Sequence, residues 1–224
     1  MENVTPPIYT GRGRATTGRT MAIMTLTHLD FIRLVVAGDL GQVTRALAVN
    51  PELASTGSPV GATRTAASEF FFPDIGRNLY AGDTALHMAA AAFRRAIAEV
   101  LVAHGADCRA KNRRGSEPLH YAADAGPRDP RAQAETIDYL LSAGADPNGR
   151  DRSGVAPLHK AVRARSLAAV EALVRGGADP RMPNANGSTP MHLAVQSTGR
   201  SGSGSPPSRE QQAAIIRFLT ECGA

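Results

Sequence analysis

One short phrase recurs four times in this chain of 224 residues, always ending on histidine. It reads Thr84-Ala85-Leu86-His87, Glu117-Pro118-Leu119-His120, Ala156-Pro157-Leu158-His159 and Thr189-Pro190-Met191-His192, at steps of 33, 39 and 33 residues. A second phrase keeps phase with it: Gly105-Ala106-Asp107, Gly144-Ala145-Asp146, Gly177-Ala178-Asp179 and a closing Gly223-Ala224. Between the two phrases lie two short apolar stretches of helical period, so each unit reads as a helix pair. A pair this short cannot bury its apolar stripe alone. It becomes stable only in a row, where each unit covers its neighbour.

The residue types suit those places. Thr189 before Pro190 starts a helix: the hydroxyl accepts an orphan N–H, and proline at the first helical position forfeits no bond. Thr84 holds the matching place in the first copy of the phrase. Gly105, Gly144 and Gly177 follow the second helix of each unit, where the chain turns through the left-handed region. A 33-residue unit opening on T-P-L-H resembles the ankyrin repeat, and the resemblance covers the chain from about residue 28 onward. It implies an all-α solenoid of stacked helix pairs with β-hairpin fingers, whose concave face of fingers and inner helices binds other proteins. It further implies that His87, His120, His159 and His192 tie neighbouring finger backbones together.

On this reading residues 1–26 form a disordered basic tail, with Met21 and Met24 as alternative translation starts. Residues 27–54 are an N-terminal cap repeat, opened by a capping box at Thr27–Asp30 and divided at Gly38. Repeats follow at 82–113, 114–151, 152–184 and 185–224, the last serving as C-terminal cap. The extra residues of repeat two fall at Gly126-Pro127-Arg128-Asp129-Pro130, where Asp129-Pro130 recaps the outer helix, and those of repeat four in the Gly/Ser run 199–205. A capping box at Ser208–Gln211 is expected to open the last helix.

Residues 55–81 interrupt the rhythm. Ser55–Ser68 reads by composition as a flexible loop. Phe70, Phe71 and Phe72 are half of the six phenylalanines, and Tyr80 stands close by. Two roles are open for these rings: a plug between the cap and the first full repeat, or an anchor for a partner, since buried aromatics tend to dominate interfaces.

Charge supplies the other lead. The net charge is +5, and residues 1–27 hold +2 of it (Arg12, Arg14 and Arg19 against Glu2). Lys111 and Lys160 are the only lysines; the arginine bias is read as the mark of a GC-rich, bacterial genome. The finger after repeat one collects Arg109, Lys111, Arg113 and Arg114 against Asp107. The next finger sets Arg150 and Arg152 against Asp146 and Asp151. A basic first finger favours an acidic protein surface; a nucleic-acid phosphate or another polyanion is the alternative ligand.

Chemistry is hard to find. There is no G-x-S-x-G, H-E-x-x-H or phosphate-cradling glycine loop. The four histidines sit on successive stacked units, too far apart to converge on one metal ion. Cys108 and Cys222 have no metal-ligand spacing, and Cys108 reads as a buried or half-buried thiol. No apolar run reaches membrane-spanning length. The expectation is therefore a monomeric, cytoplasmic, non-enzymatic module for a protein partner, with no cofactor and no metal.

Overall fold

The computed structural model describes residues 26–63, 67–124, 129–196 and 206–224. The basic tail, Gly126-Pro127-Arg128 and the Gly/Ser run 199–205 lie outside those residues. Ten helices form five antiparallel pairs among the described residues: α1 (His28–Ala37) with α2 (Leu40–Val49), α3 (Ala85–Ala91) with α4 (Arg95–Ala103), α5 (Pro118–Ala123) with α6 (Pro130–Ser142), α7 (Pro157–Arg163) with α8 (Leu167–Arg175), and α9 (Pro190–Val195) with α10 (Pro206–Glu221). The first members pack on one another in order, α1 on α3, then α5, α7 and α9, and the second members do likewise. The result is an all-α solenoid with an inner and an outer row of helices.

Local chemistry sets the helix ends. Thr27 caps α1 by accepting from the Asp30 N–H at 3.2 Å, and Asp39 caps α2 through the Gln42 N–H at 2.9 Å. Gly38 ends α1 at φ +87°. It has a second reason to be glycine, because a Cβ there would lie 2.9 Å from the Arg94 guanidinium. That guanidinium donates to the Val36 and Ala37 carbonyls, so repeat one closes the open end of the cap helix. Asp129 caps α6 through the Ala132 N–H. The last helix departs from expectation. It starts at Pro206, so Ser208 lies in its first turn, where its hydroxyl accepts from Arg165 instead of capping.

One apolar cluster runs without a break from Phe31 in α1 to Leu219 in α10. Alanine supplies much of it, with Ala89, Ala90, Ala122, Ala161, Ala169 and Ala172 all fully buried, which lets the helices approach closely. Leu86, Leu119 and Leu158 of the recurring phrase are buried at the inner-row interfaces.

The interruption before repeat one is more ordered than its composition suggests. Ser58 N–H donates to the Asp83 carbonyl, Gly82 N–H to Ser58, and Ala62 N–H to Leu79, at 2.7–2.8 Å. The segment thus runs alongside 79–83, joined to it by these three backbone bonds. Gly61 is required by this approach: a Cβ there would sit 2.5 Å from the Ala81 nitrogen. Beyond it, β1 (Phe71–Phe72) pairs antiparallel with β2 (Arg77–Asn78), the one ladder among the described residues. The fingers themselves are closed by turns and contain no paired strands.

Candidate functional site

Each regular finger is a turn held by one side chain. Asn112 Oδ1 accepts from the Arg114 and Ser116 N–H groups, Asp151 Oδ1 from Ser153 and Val155, and Asn184 Oδ1 from Asn186 and Ser188. Asparagine and aspartate are suited to such turns because their short side chains bond backbone two residues on. The two residues after each anchor form the fingertip. They are Arg113-Arg114, Arg152-Ser153 and Ala185-Asn186. Neighbouring tips are bonded: Arg152 N–H donates to the Arg114 carbonyl and Ala185 N–H to Ser153.

The histidines fasten this row from behind. Each Nδ1 accepts the backbone N–H three residues earlier, from Thr84, Glu117, Ala156 and Thr189, at 3.0–3.3 Å. That fixes the proton on Nε2, which donates to the next finger: His87 to Ser116, His120 to Val155 and His159 to Ser188, at 3.0–3.1 Å. Burial lowers all three pKa values, that of His120 to about 4. Among the described residues no group of three His, Cys, Asp or Glu converges as a metal site.

The first fingertip is built differently. Leu79, fully buried, stands where the others have the Asn or Asp anchor. Asp83 takes over, accepting from the Tyr80 N–H at 2.7 Å. Its other oxygen accepts from Asn112 Nδ2 at 2.8 Å and from the Tyr121 hydroxyl at 2.7 Å. Asp83 is fully buried and so joins the first fingertip, the second finger and α5 in one polar network. Burial first, and the neighbouring Asp83 charge next, push the Tyr121 phenol well above its usual range. Arg77 of β2 lies over the Tyr121 ring, 4.5 Å from its centroid, and pairs with Asp124 at 3.2 Å.

These elements enclose a cavity of about 640 Å³ on the inner face. Arg77 and Tyr80 stand at one end, Arg113 and Arg114 along one side, and Tyr121, Asp124, Lys160 and Arg163 form the helical wall. Arg152 is on the finger side. Six cations therefore face two carboxylates, Asp124 and Asp151. Both carboxylates are engaged. Asp124 pairs with Arg77 and, at 3.6 Å, with Lys160; Asp151 holds its own turn. Arg113, Arg114, Arg152 and Arg163 are exposed, and none of them makes an ion pair among the described residues. The Arg114 guanidinium sits 4.3 Å and that of Arg113 5.5 Å from the Tyr80 ring centroid, a cation–π arrangement that holds both heads near the cavity mouth. Toward the C-terminus a smaller hollow of about 370 Å³ continues the groove past Asn184, Asn186 and Gln196.

The residues singled out from sequence divide. Arg113, Arg114 and Tyr80 come together at the cavity. Arg109 does not: its Nε donates to the Gly144 carbonyl at 2.9 Å. Asn148 and Arg181, at the same step of the next two units, bond Gly177 and Gly223 in the same way. Lys111 pairs at 3.5 Å with the buried Glu117, whose carboxyl is pushed up by burial and drawn back by that lysine. Phe70 and Phe72 lie in the apolar core, and Phe71 points outward at 46% exposure. Arg77, Arg152, Lys160 and Arg163 were not singled out. Counting charge finger by finger hid Arg152, because Asp146 and Asp151 cancel arginines in a sum but spend their oxygens on backbone N–H groups, and it passed over Arg77, Lys160 and Arg163, which lie on no finger. Cys108 is buried, Cys222 half-buried and neither is bridged.

Residues 62–151 match a family model of ankyrin repeats in three copies, and residues 140–194 a second model of ankyrin repeats in many copies. No curated protein matches the chain.

Proposed function

Because the chain belongs to the ankyrin-repeat family, whose repeats are generally protein–protein interaction modules, we propose that it is a non-enzymatic scaffold that binds a partner protein in the groove between its fingertips and inner helices. The observation that carries this reading is the set of four exposed arginines without ion pairs, drawn from two fingers and one inner helix onto one cavity. Desolvating a guanidinium is favourable only when a partner meets its donors, so such a set is suited to an anionic or carbonyl-rich surface. The two unbridged thiols suit a reducing compartment such as the cytoplasm.

A photo-crosslinking residue at Arg163 in the groove, compared with one at Arg131 on the outer row, tests the face. Arg131 is 89% exposed and so equally accessible. The groove position is expected to give a discrete adduct in the native host and the outer position none. Adducts from Arg131 alone would place the interaction elsewhere. The arginines also support a second reading, binding of a nucleic acid or another polyanion. That reading demands a steep loss of affinity with salt.

A further inference from the structure

We propose that the groove reads an acidic segment of the partner in an extended, polyproline-II-like conformation, with two carboxylates three residues apart. This rests on the groove being the binding face. It adds the chemistry and spacing of what is bound. The first carboxylate meets Arg113 and Arg114, and the second meets Arg152 and Arg163.

The spacing comes from the stack. Arg113-Arg114 and Arg152 are equivalent tips of consecutive fingers, bonded through Arg152 N–H and the Arg114 carbonyl at 3.0 Å. Consecutive helices in such a pile lie roughly 8–10 Å apart, so the equivalent fingertip positions 113 and 152 are offset by about one such step. A polyproline-II chain rises about 3.1 Å per residue with three residues per turn, so residues three apart share a face at about 9 Å. A β-strand alternates faces, and its same-face spacings of about 7 and 13 Å fit the step less well. The polyproline-II backbone also leaves its amides without internal partners. Asn186 and Gln196, which line the groove beyond Arg163, offer donors and acceptors to them.

The groove discriminates as well as attracts. Arg114 is held by Tyr80, which leaves its planar edge to grip a carboxylate in the bidentate manner, while Arg113, over the same ring, spends one Nη2 donor on the Ala62 carbonyl at 3.4 Å and adds its remaining donors. Asp124 stands on the helical wall of the same cavity, engaged with Arg77 and Lys160. A ligand charged at every residue would set one anion against it. A segment with neutral residues between its two acids would not. The end of the groove at Arg77 and Tyr80 is closed by the segment preceding repeat one. The bound chain therefore continues toward repeat four.

The test uses the full chain and fluorescent peptides with two glutamates in a glycine–serine–proline background, separated by zero to five residues. Affinity should peak at a separation of two intervening residues. Arg113→Gln with Arg114→Gln, and separately Arg152→Gln with Arg163→Gln, should each weaken that peptide about tenfold or more, with unchanged thermal melting. Removing one glutamate should abolish the effect of one pair of substitutions and not the other. A flat dependence on spacing would overturn the two-carboxylate reading. Selection from a random displayed library separates the two levels. Neutral peptides lost on the same arginine variants would sink the acidic segment and keep the groove. Peptides that bind but ignore every groove variant would sink both. Tighter binding of single-stranded DNA than of any peptide, with a steep salt slope, would replace the segment by a polyanion.

Discussion

His87, His120 and His159 are chemically the same as His192 and sit in the same phrase, yet the first three are buried and the fourth is exposed. The difference lies beyond the repeat itself. Each of the first three has a following finger whose carbonyl receives its Nε2 proton; repeat four has no following finger among the described residues, and His192 keeps only its local bonds to Thr189. The motif is thus a fitting between units, and its energy belongs to the interface. The same holds for Arg109, Asn148 and Arg181, each of which closes the outer helix end of the unit after its own.

The largest effect that can test this is apolar. Leu158 is 1% exposed between two repeats, whereas Met191 at the equivalent step of the last repeat is half-buried. Leu158→Ala should cost about 2–5 kcal/mol in urea unfolding and Met191→Ala clearly less. Equal losses would mean that the units stand on their own cores.

The histidines should make the stack acid-sensitive in a particular window. Their folded pKa values lie below 6.5, so the unfolded chain takes up protons first. Stability is full above about pH 6.5 and falls as pH drops toward the folded values, near 4 for His120. A shift of that size in one buried ring corresponds to a loss of roughly 3 kcal/mol. Protonation would also place an N–H at Nδ1 against the Glu117 N–H that it now accepts. Melting temperature followed from pH 7 to pH 4 should fall, and His120→Gln should flatten the curve while lowering the plateau. At neutral pH, His120→Ala is expected to cost about 1–3 kcal/mol by stranding two buried backbone groups, and His192→Ala under about 0.5 kcal/mol.

How much of this was legible in the sequence follows the same division. Helix positions, caps at Thr27 and Asp129, and the histidine bridges are set by a residue and its chain neighbours, so the 33-residue period carries them. The cavity is not local. Arg77, Tyr121, Lys160 and Arg163 come from a segment outside the period and from inner-helix steps that the motif leaves variable. The order of Ser58–Ala62 was invisible for a related reason: the segment it bonds is 79–83, and composition records no pairing. Ser208 looked like a cap because its sequence neighbours suit one, but the helix already begins at Pro206 and Arg165 from another unit claims the hydroxyl.

The basic finger is where that division can be cut most finely. Arg109 and Arg113 are four residues apart on the same loop and carry the same charge. Arg109 bonds the next unit, so Arg109→Ala should cost about 1 kcal/mol by exposing the Gly144 carbonyl end of the outer row. Arg113 and Arg114 lie over Tyr80 with exposed heads, Arg113 with one long bond of 3.4 Å to the Ala62 carbonyl, and replacing both by Gln should change stability by no more than about 0.5 kcal/mol. Binding should respond in the opposite order, strongly to the Arg113 and Arg114 pair and weakly to Arg109. Urea titration beside peptide affinity measures both on the same three proteins. A finger whose arginines behaved alike in the two assays would be a uniform charge patch, and the assignment of Arg109 to the stack and of Arg113 and Arg114 to the partner would fail.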